Sequence, residues 1–179
     1  RHIKENDLIN IMKKITIPLQ LEVAPSSFML NFAIKNQIKK LCIVPEKREE
    51  LTTEGGLNIK YHFKFLQQNL YNLFKNNIEV SLFLDPEIEN IDLCLDLGVK
   101  AIEFHTGEFS NAQDENEIHI LNKLRSVIKY AKSRNISIRA GHGLNFEKTK
   151  KLIDLTYIEE LNIGHFIIGE SVFIGLPNV

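Results

Sequence analysis

Residues 101–140, AIEFHTGEFSNAQDENEIHILNKLRSVIKYAKSRNISIRA, decide the fold. The run Ala101–His105 alternates apolar and polar side chains at the period of a strand. Asn116–Ser133 then sets Ile120, Leu124, Val127 and Ala131 at three- and four-residue spacing, one apolar face of a helix. Ser137–Ala140 returns to the strand period. A strand, a long amphipathic helix and a second strand make a βαβ unit, in which the helix carries the chain back so that the two strands run parallel.

The same rhythm extends in both directions. Strands are predicted at Ile17–Val23, Lys40–Val44, Glu79–Leu84 and Glu160–Ile163, and helices at Ser27–Ile38, Lys60–Asn76, Glu87–Leu97 and Phe146–Leu155. The inward faces are expected to be Phe28, Phe32 and Ile34 or Ile38 in the first helix, and Phe63, Leu66, Leu70 and Leu73 in the second. In the third they are Ile88, Ile91 and Leu95. The class is α/β, a parallel sheet covered by helices. Periodicity does not separate a closed barrel from an open doubly wound sheet. No G-x-G-x-x-G follows any strand and no P-loop appears, so the nucleotide fingerprints of open sheets are missing.

With 179 residues, 44% apolar and 25% charged, the chain can bury a substantial core. A net charge of −1 and only short lysine clusters (Lys13-Lys14, Lys39-Lys40, Lys148 to Lys151) argue against a nucleic-acid partner. No apolar run is long enough to span a bilayer, and no charged-then-apolar leader opens the chain. Cys42 and Cys94 lie in apolar stretches, as buried thiols do in a reducing compartment, and a cytoplasmic location is expected. Neither a repeat nor a linker divides residues 1–179, which read as one domain. The first residue is Arg1, and the chain stops abruptly after Gly175-Leu176-Pro177-Asn178-Val179. Incompleteness at the amino end, and at the carboxyl end as well, is therefore expected.

Unusual polar residues fall at strand ends. Glu22 closes the first strand, and Glu103, His105 and Thr106 close the fourth. Gly141-His142-Gly143 follows the fifth and Gly164-His165 the sixth. In a parallel sheet all of them gather at the carboxyl ends of the strands, where (β/α)8 barrels place their chemistry. Glu22 and Glu103 alternate with apolar neighbours and so face the opposite side, which in a barrel is the interior, where a carboxylate is costly without a role or a partner. His105 is equally well a hydrogen-bonded wall residue. His62 and His119 sit in helix patterns and are expected to face solvent. The two glycine turns bring backbone N–H groups to helix starts, with Asn145 as a cap, and suit phosphate.

The stretch Val44-Pro45-Glu46-Lys47-Arg48-Glu49-Glu50-Leu51-Thr52-Thr53-Glu54-Gly55-Gly56-Leu57 resembles the signature loop of the pyridoxine 5'-phosphate synthase family. Four further blocks match in order. They are Leu21-Glu22-Val23-Ala24, Ile102 to Gly107, Ala140 to Leu144, and Glu160 to His165, the last continuing in register through Ile167-Ile168-Gly169. The resemblance implies a (β/α)8 TIM barrel. The six strands visible here would be its last six, with the amino-terminal strands missing from the chain. It implies condensation of 1-deoxy-D-xylulose 5-phosphate with 3-amino-2-oxopropyl phosphate to pyridoxine 5'-phosphate, phosphate and water. It also implies a homo-octamer with no metal and no organic cofactor. By motif, Glu22 takes the acid/base role, His142 the proton donor's, and Glu103 that of transition-state stabiliser. His2 and Thr52 match contacts to the deoxyxylulose phosphate, and Gly143, Gly164 and His165 match the site for the amino-ketone phosphate.

Each step of such a ring closure moves a proton, which suits carboxylates and imidazoles of adjusted pKa. The chain departs from the family's pattern at Pro25-Ser26-Ser27, where the family often has a more acidic helix start. It departs again at Glu170, which stands where Arg is frequent. The family's substrate-binding Asn and Asp and its further catalytic His lie on strands not seen in this chain. Two other readings compete, an isomerase or aldolase barrel and a non-catalytic phosphate-binding barrel. The absence of Lys from central strand ends disfavours a lysine aldolase.

Overall fold

A computed structural model describes residues 3–45 and 55–179. His2 and Thr52, and most of the loop from Val44 to Leu57, lie outside the described residues. Six strands form one sheet in chain order: β1 (Gln20–Val23), β2 (Lys40–Ile43), β3 (Glu79–Leu84), β4 (Ala101–His105), β5 (Ser137–Gly141) and β6 (Glu160–Asn162). Every neighbouring pair is parallel. The sheet curls, with helices around it, as a barrel wall does. The helices are α1 (Glu5–Lys14), α2 (Ser27–Lys35), α3 (Ile59–Lys75), α4 (Ile88–Asp96), α5 (Gly107–Asn111), α6 (Asp114–Ser133), α7 (Phe146–Ile153) and α8 (His165–Ile174).

Strand alternation sorts the side chains into two environments. Val23, Leu41, Ile43, Val80, Leu82, Leu84, Ile102, Phe104 and Ile138 turn outward into a core shared with Leu66, Leu70, Leu73, Ile91, Leu124 and Ala131 of α3, α4 and α6. Glu22, Cys42, Ser81, Glu103, Arg139 and Asn162 occupy the intervening positions and line the concave face. Cys42, Val44 and Phe83 form a small apolar cluster apart from the main core. Both cysteines are free and buried, and burial pushes the Cys94 thiol up to about 12.

One device sets four of the βα repeats. Helices α2, α3, α4 and α6 are each followed by a residue of positive φ: Gln37, Asn77, Gly98 and Asn135. The next residue is buried and apolar, and its N–H reaches back to a carbonyl five residues earlier. The bonds are Ile38 to Ala33, Ile78 to Leu73, Val99 to Cys94 and Ile136 to Ala131, at 2.9–3.2 Å. This is the Schellman stop, with its hydrophobic contact aiming the chain into the following strand. Starts are capped by Ser26, Asn58 and Asn145, whose side chains accept from Met29, Tyr61 and Lys148 N–H.

Several expected details differ. β1 begins at Gln20, because Pro18 has no N–H to give a ladder and Ile17 is exposed. Phe28 and Ile88 do not face the core. Each stands in the first turn of its helix, whose buried stripes run through Leu30 and Ala33 and through Ile91 and Cys94. His62 is half-buried, with its ring edge-on to Tyr61, while His119 is exposed as expected. Helix α8 keeps Ile168, Val172 and Phe173 on the surface. Among the described residues, no helix is long and apolar enough to cross a membrane.

Candidate active site

Because the strands are parallel, Glu22, Glu103, His142, Gly164 and His165 all stand at the carboxyl edge of the sheet or one pleat below it. Glu22 pairs in register with Cys42, and Glu103 with Phe83 on one side and Arg139 on the other. Glu103 is the centre of the concave face, with 3% of its surface exposed. Its Oε2 accepts from Asn162 Nδ2 at 2.6 Å and from the Cys42 thiol at 3.6 Å. Its Oε1 lies over Gly141, where an added Cβ would come within 2.7 Å of that oxygen. Burial and the nearby Glu22 carboxylate push its pKa up to about 7, against the opposing hydrogen bonds and the Arg139 charge. Such a carboxyl exchanges protons near neutrality. The same surroundings raise the Cys42 thiol, chiefly by burial and then by Glu103.

Arg139 forms the floor beneath Glu103. Its guanidinium donates to Gln20 Oε1 at 2.6 Å and Ser81 Oγ at 3.2 Å, bonds Glu79, and lies 3.7 Å from Glu160. Lys40 reaches Glu160 at 3.6 Å. This ionic layer, buried at Arg139 and part-exposed at Glu79, Glu160 and Lys40, closes the amino-terminal end of the concave face.

The upper rim is built on β3, β4 and the turn after β5. His105 Nδ1 lies 3.0 Å from Asp85 Oδ1, and the His105 and His142 ring centroids are 4.8 Å apart. Asp85 also accepts from Gly56 N–H at 2.8 Å, and Leu57 N–H donates to the Phe83 carbonyl at 2.7 Å, so residues 55–57 are fastened to the end of β3. The His105 hydrogen bond, with Gly56 and Lys123 helping, holds the Asp85 carboxyl below its ordinary range. His142 has φ of +85°, and its carbonyl accepts from Thr106 Oγ1 at 2.8 Å and Ser110 Oγ at 3.2 Å. A cavity of about 640 Å³ opens outside this rim, against Asp85, His105, Glu87, Asn90 and Glu108. It borders His105 and not His142 or the Glu22–Glu103 pair on the concave side.

The two glycine turns differ. Gly143, at φ +76°, packs against Ser110, where a Cβ would lie 2.8 Å from Ser110 Cβ. The helix start after it is served by Asn145. Gly164 has open space around it and no side chain caps α8, so the first N–H groups of that helix face the site edge with His165 exposed beside them. The structure thus joins Glu22 to Glu103 and His142 to His105, and sets His165 farther along the same edge. Sequence reasoning passed over Asp85, Arg139 and Asn162. Each was detectable as a polar residue on the inward-facing alternation of a strand or just past its end, the criterion that found Glu103. Among the described residues, no group of three or more His, Cys, Asp or Glu side chains is placed to hold a metal ion.

The profile of the family described as "Pyridoxal phosphate biosynthesis protein PdxJ" matches residues 1–179. The chain is 42% identical over 176 residues to pyridoxine 5'-phosphate synthase of Ehrlichia chaffeensis, covering 98% of this chain and 72% of that protein. To the Zymomonas mobilis protein of the same name it is 44% identical, covering 98% and 69%. Among solved structures it resembles the tryptophan synthase A-subunit of Pyrococcus furiosus with a TM-score of 0.60 at 12% identity, covering 97% of this chain and 68% of that one. At that identity the likeness concerns the fold alone.

Proposed function

The chain belongs to the PdxJ family of pyridoxal phosphate biosynthesis enzymes, and from that premise we propose that it makes pyridoxine 5'-phosphate. The substrates in this reading are 1-deoxy-D-xylulose 5-phosphate and 3-amino-2-oxopropyl phosphate, and the accompanying products are inorganic phosphate and water. The observation that carries it is the Glu22–Glu103 arrangement. A buried carboxyl, Glu103, bonded to the Cys42 thiol and raised by burial and then by the nearby Glu22 charge, has a pKa of about 7. Such a carboxyl can give up a proton or take it back during imine formation, dehydration and ring closure.

Glu22, the more exposed of the two, takes and returns protons on the substrate, and Glu103 stabilises the charge that develops. His142, held on its strained turn at the rim, donates a proton to a leaving oxygen. The uncapped start of α8, with Gly164 and His165, receives the amino-ketone phosphate, together with Gly143. His2 and Thr52 bind the other phosphorylated substrate in this reading. A homo-octamer in the cytoplasm, working without metal or organic cofactor, completes the proposal. The test is direct: the purified protein is mixed with the two substrates and the product is identified by mass spectrometry. Release of phosphate without the aromatic product would overturn the reading.

A further inference from the structure

Behind His142 stands a pair of residues for which the chemistry above has no use. His105 is 6% exposed, and its Nε2 is the one buried side-chain nitrogen or oxygen among the described residues with no hydrogen-bond partner. Its other nitrogen, Nδ1, meets Asp85 Oδ1 at 3.0 Å. An ionised carboxylate only accepts hydrogen bonds, so Nδ1 carries the hydrogen and a neutral ring leaves its lone pair on Nε2. That edge lies at Gly107. A Cβ there would come within 2.6 Å of His105 Nε2, 2.8 Å of its Cε1 and 3.2 Å of His142 Cδ2. The absence of a side chain at residue 107 is what lets the two imidazoles meet at 4.8 Å between centroids. Leaving a buried nitrogen unserved costs stability, and such costs concentrate where function needs them.

We propose that Asp85 and His105 are positioning residues for His142. Asp85 fixes the His105 tautomer, and His105, its ring 4.8 Å from that of His142, presents an electron-rich edge that steadies the orientation of the His142 ring. Thr106 and Ser110 hold the same residue from the backbone side. Asp85 also grips Gly56, so one carboxylate ties residues 55–57 to the orientation of the histidines. The role given to His142 rests on the functional reading above, whereas the tautomer does not.

Long-range ¹H–¹⁵N correlation spectra of the histidine rings test the idea in the intact protein. His105 is expected with hydrogen on Nδ1 and a bare Nε2, and Asp85→Asn should shift that tautomer balance and move the His142 ring signals. In steady-state assays, Asp85→Asn and His105→Gln should each lower kcat by about 10- to 100-fold, the scale of a misplaced catalytic group, with KM for both substrates within about twofold. His105→Gln leaves the Asp85–Gly56 bond in place and separates ring positioning from loop anchoring. A parent His105 protonated on Nε2 alone overturns the proposal, as do variants in which KM rises while kcat holds. If the parent forms no pyridoxine 5'-phosphate, the functional reading falls, and the spectra still decide whether Asp85 sets the tautomer and steadies the His142 ring.

Discussion

Replacing Glu103 with Gln should make the protein more stable at pH 8 and change it little at pH 5. The folded chain holds the Glu103 proton up to about pH 7, against an ordinary 4.5. A carboxyl with a raised folded pKa favours the fold when protonated, and that advantage disappears as the pH climbs. The unfolded chain sheds the proton from about pH 4.5, the folded one only from about 7, so the cost of ionising the buried group builds between those values. The difference, about 2.5 at about 1.4 kcal/mol each, amounts to about 3 kcal/mol by pH 8 and under about 1 kcal/mol at pH 5. Gln keeps the shape and an oxygen for Asn162 and Cys42, and carries no charge to desolvate. Urea unfolding of parent and variant at both pH values measures the effect directly. A variant no more stable than the parent at pH 8, or equally favoured at both pH values, would refute the claim that burial and Glu22 raise this group. Stability gained here should come with activity lost, as is common where a strained site is relaxed.

Glu22→Gln should lower turnover by about 10²- to 10⁴-fold with little change in substrate binding, because the amide reaches as far but cannot carry a proton. Single-turnover kinetics separate the two, and near-normal turnover would remove Glu22 from the mechanism. Arg139→Gln withdraws the charge that holds Glu103 down, so the limb of the pH–rate profile belonging to Glu103 should move to higher pH. A shift to lower pH would contradict the electrostatic account. Gly56→Ala puts a Cβ 2.2 Å from the Asp85 backbone nitrogen and 2.5 Å from the Leu84 carbonyl carbon, so a lower Tm is expected in a thermal melt; an unchanged Tm would mean that residues 55–57 do not dock on β3. His165→Ala should raise the apparent KM for the amino-ketone phosphate while kcat holds, and the reverse pattern would deny it an anion-binding role.

The strands were the most legible part of the chain. β3 and β4 carry the bounds that alternation predicts, because their outward residues meet helices and their inward ones do not. Helix α1 was legible, with Leu8 and Met12 four residues apart on its core side, and is missing from the sequence reading; α8 is missing because HFIIGESVFI is mostly apolar and has no helical period to detect. The places of Glu22, Glu103 and His142 at or near strand ends are legible in the alternation, and the parallel sheet sets them on one edge. Asn162 and Asp85 follow the same rule. What they do, however, depends on partners fifty-nine and twenty-nine residues away, Glu103 and Gly56, and pattern does not reveal which distant group a side chain will meet.

Gly107 and Gly143 are both intolerant of a side chain, for different reasons, and their freedom to vary over evolutionary time should differ accordingly. Gly143 has a left-handed backbone, a constraint that belongs to the position whatever its neighbours become. At Gly107 the three atoms nearest an added Cβ all belong to the rings of His105 and His142. This obstruction is epistatic: a lineage that first shortened residue 105 would find alanine at 107 acceptable, while one that changed 107 first would jam the rings. The order of substitution is therefore constrained, and a saturation library at residue 107 should broaden in a His105→Ala background and stay narrow in the parent.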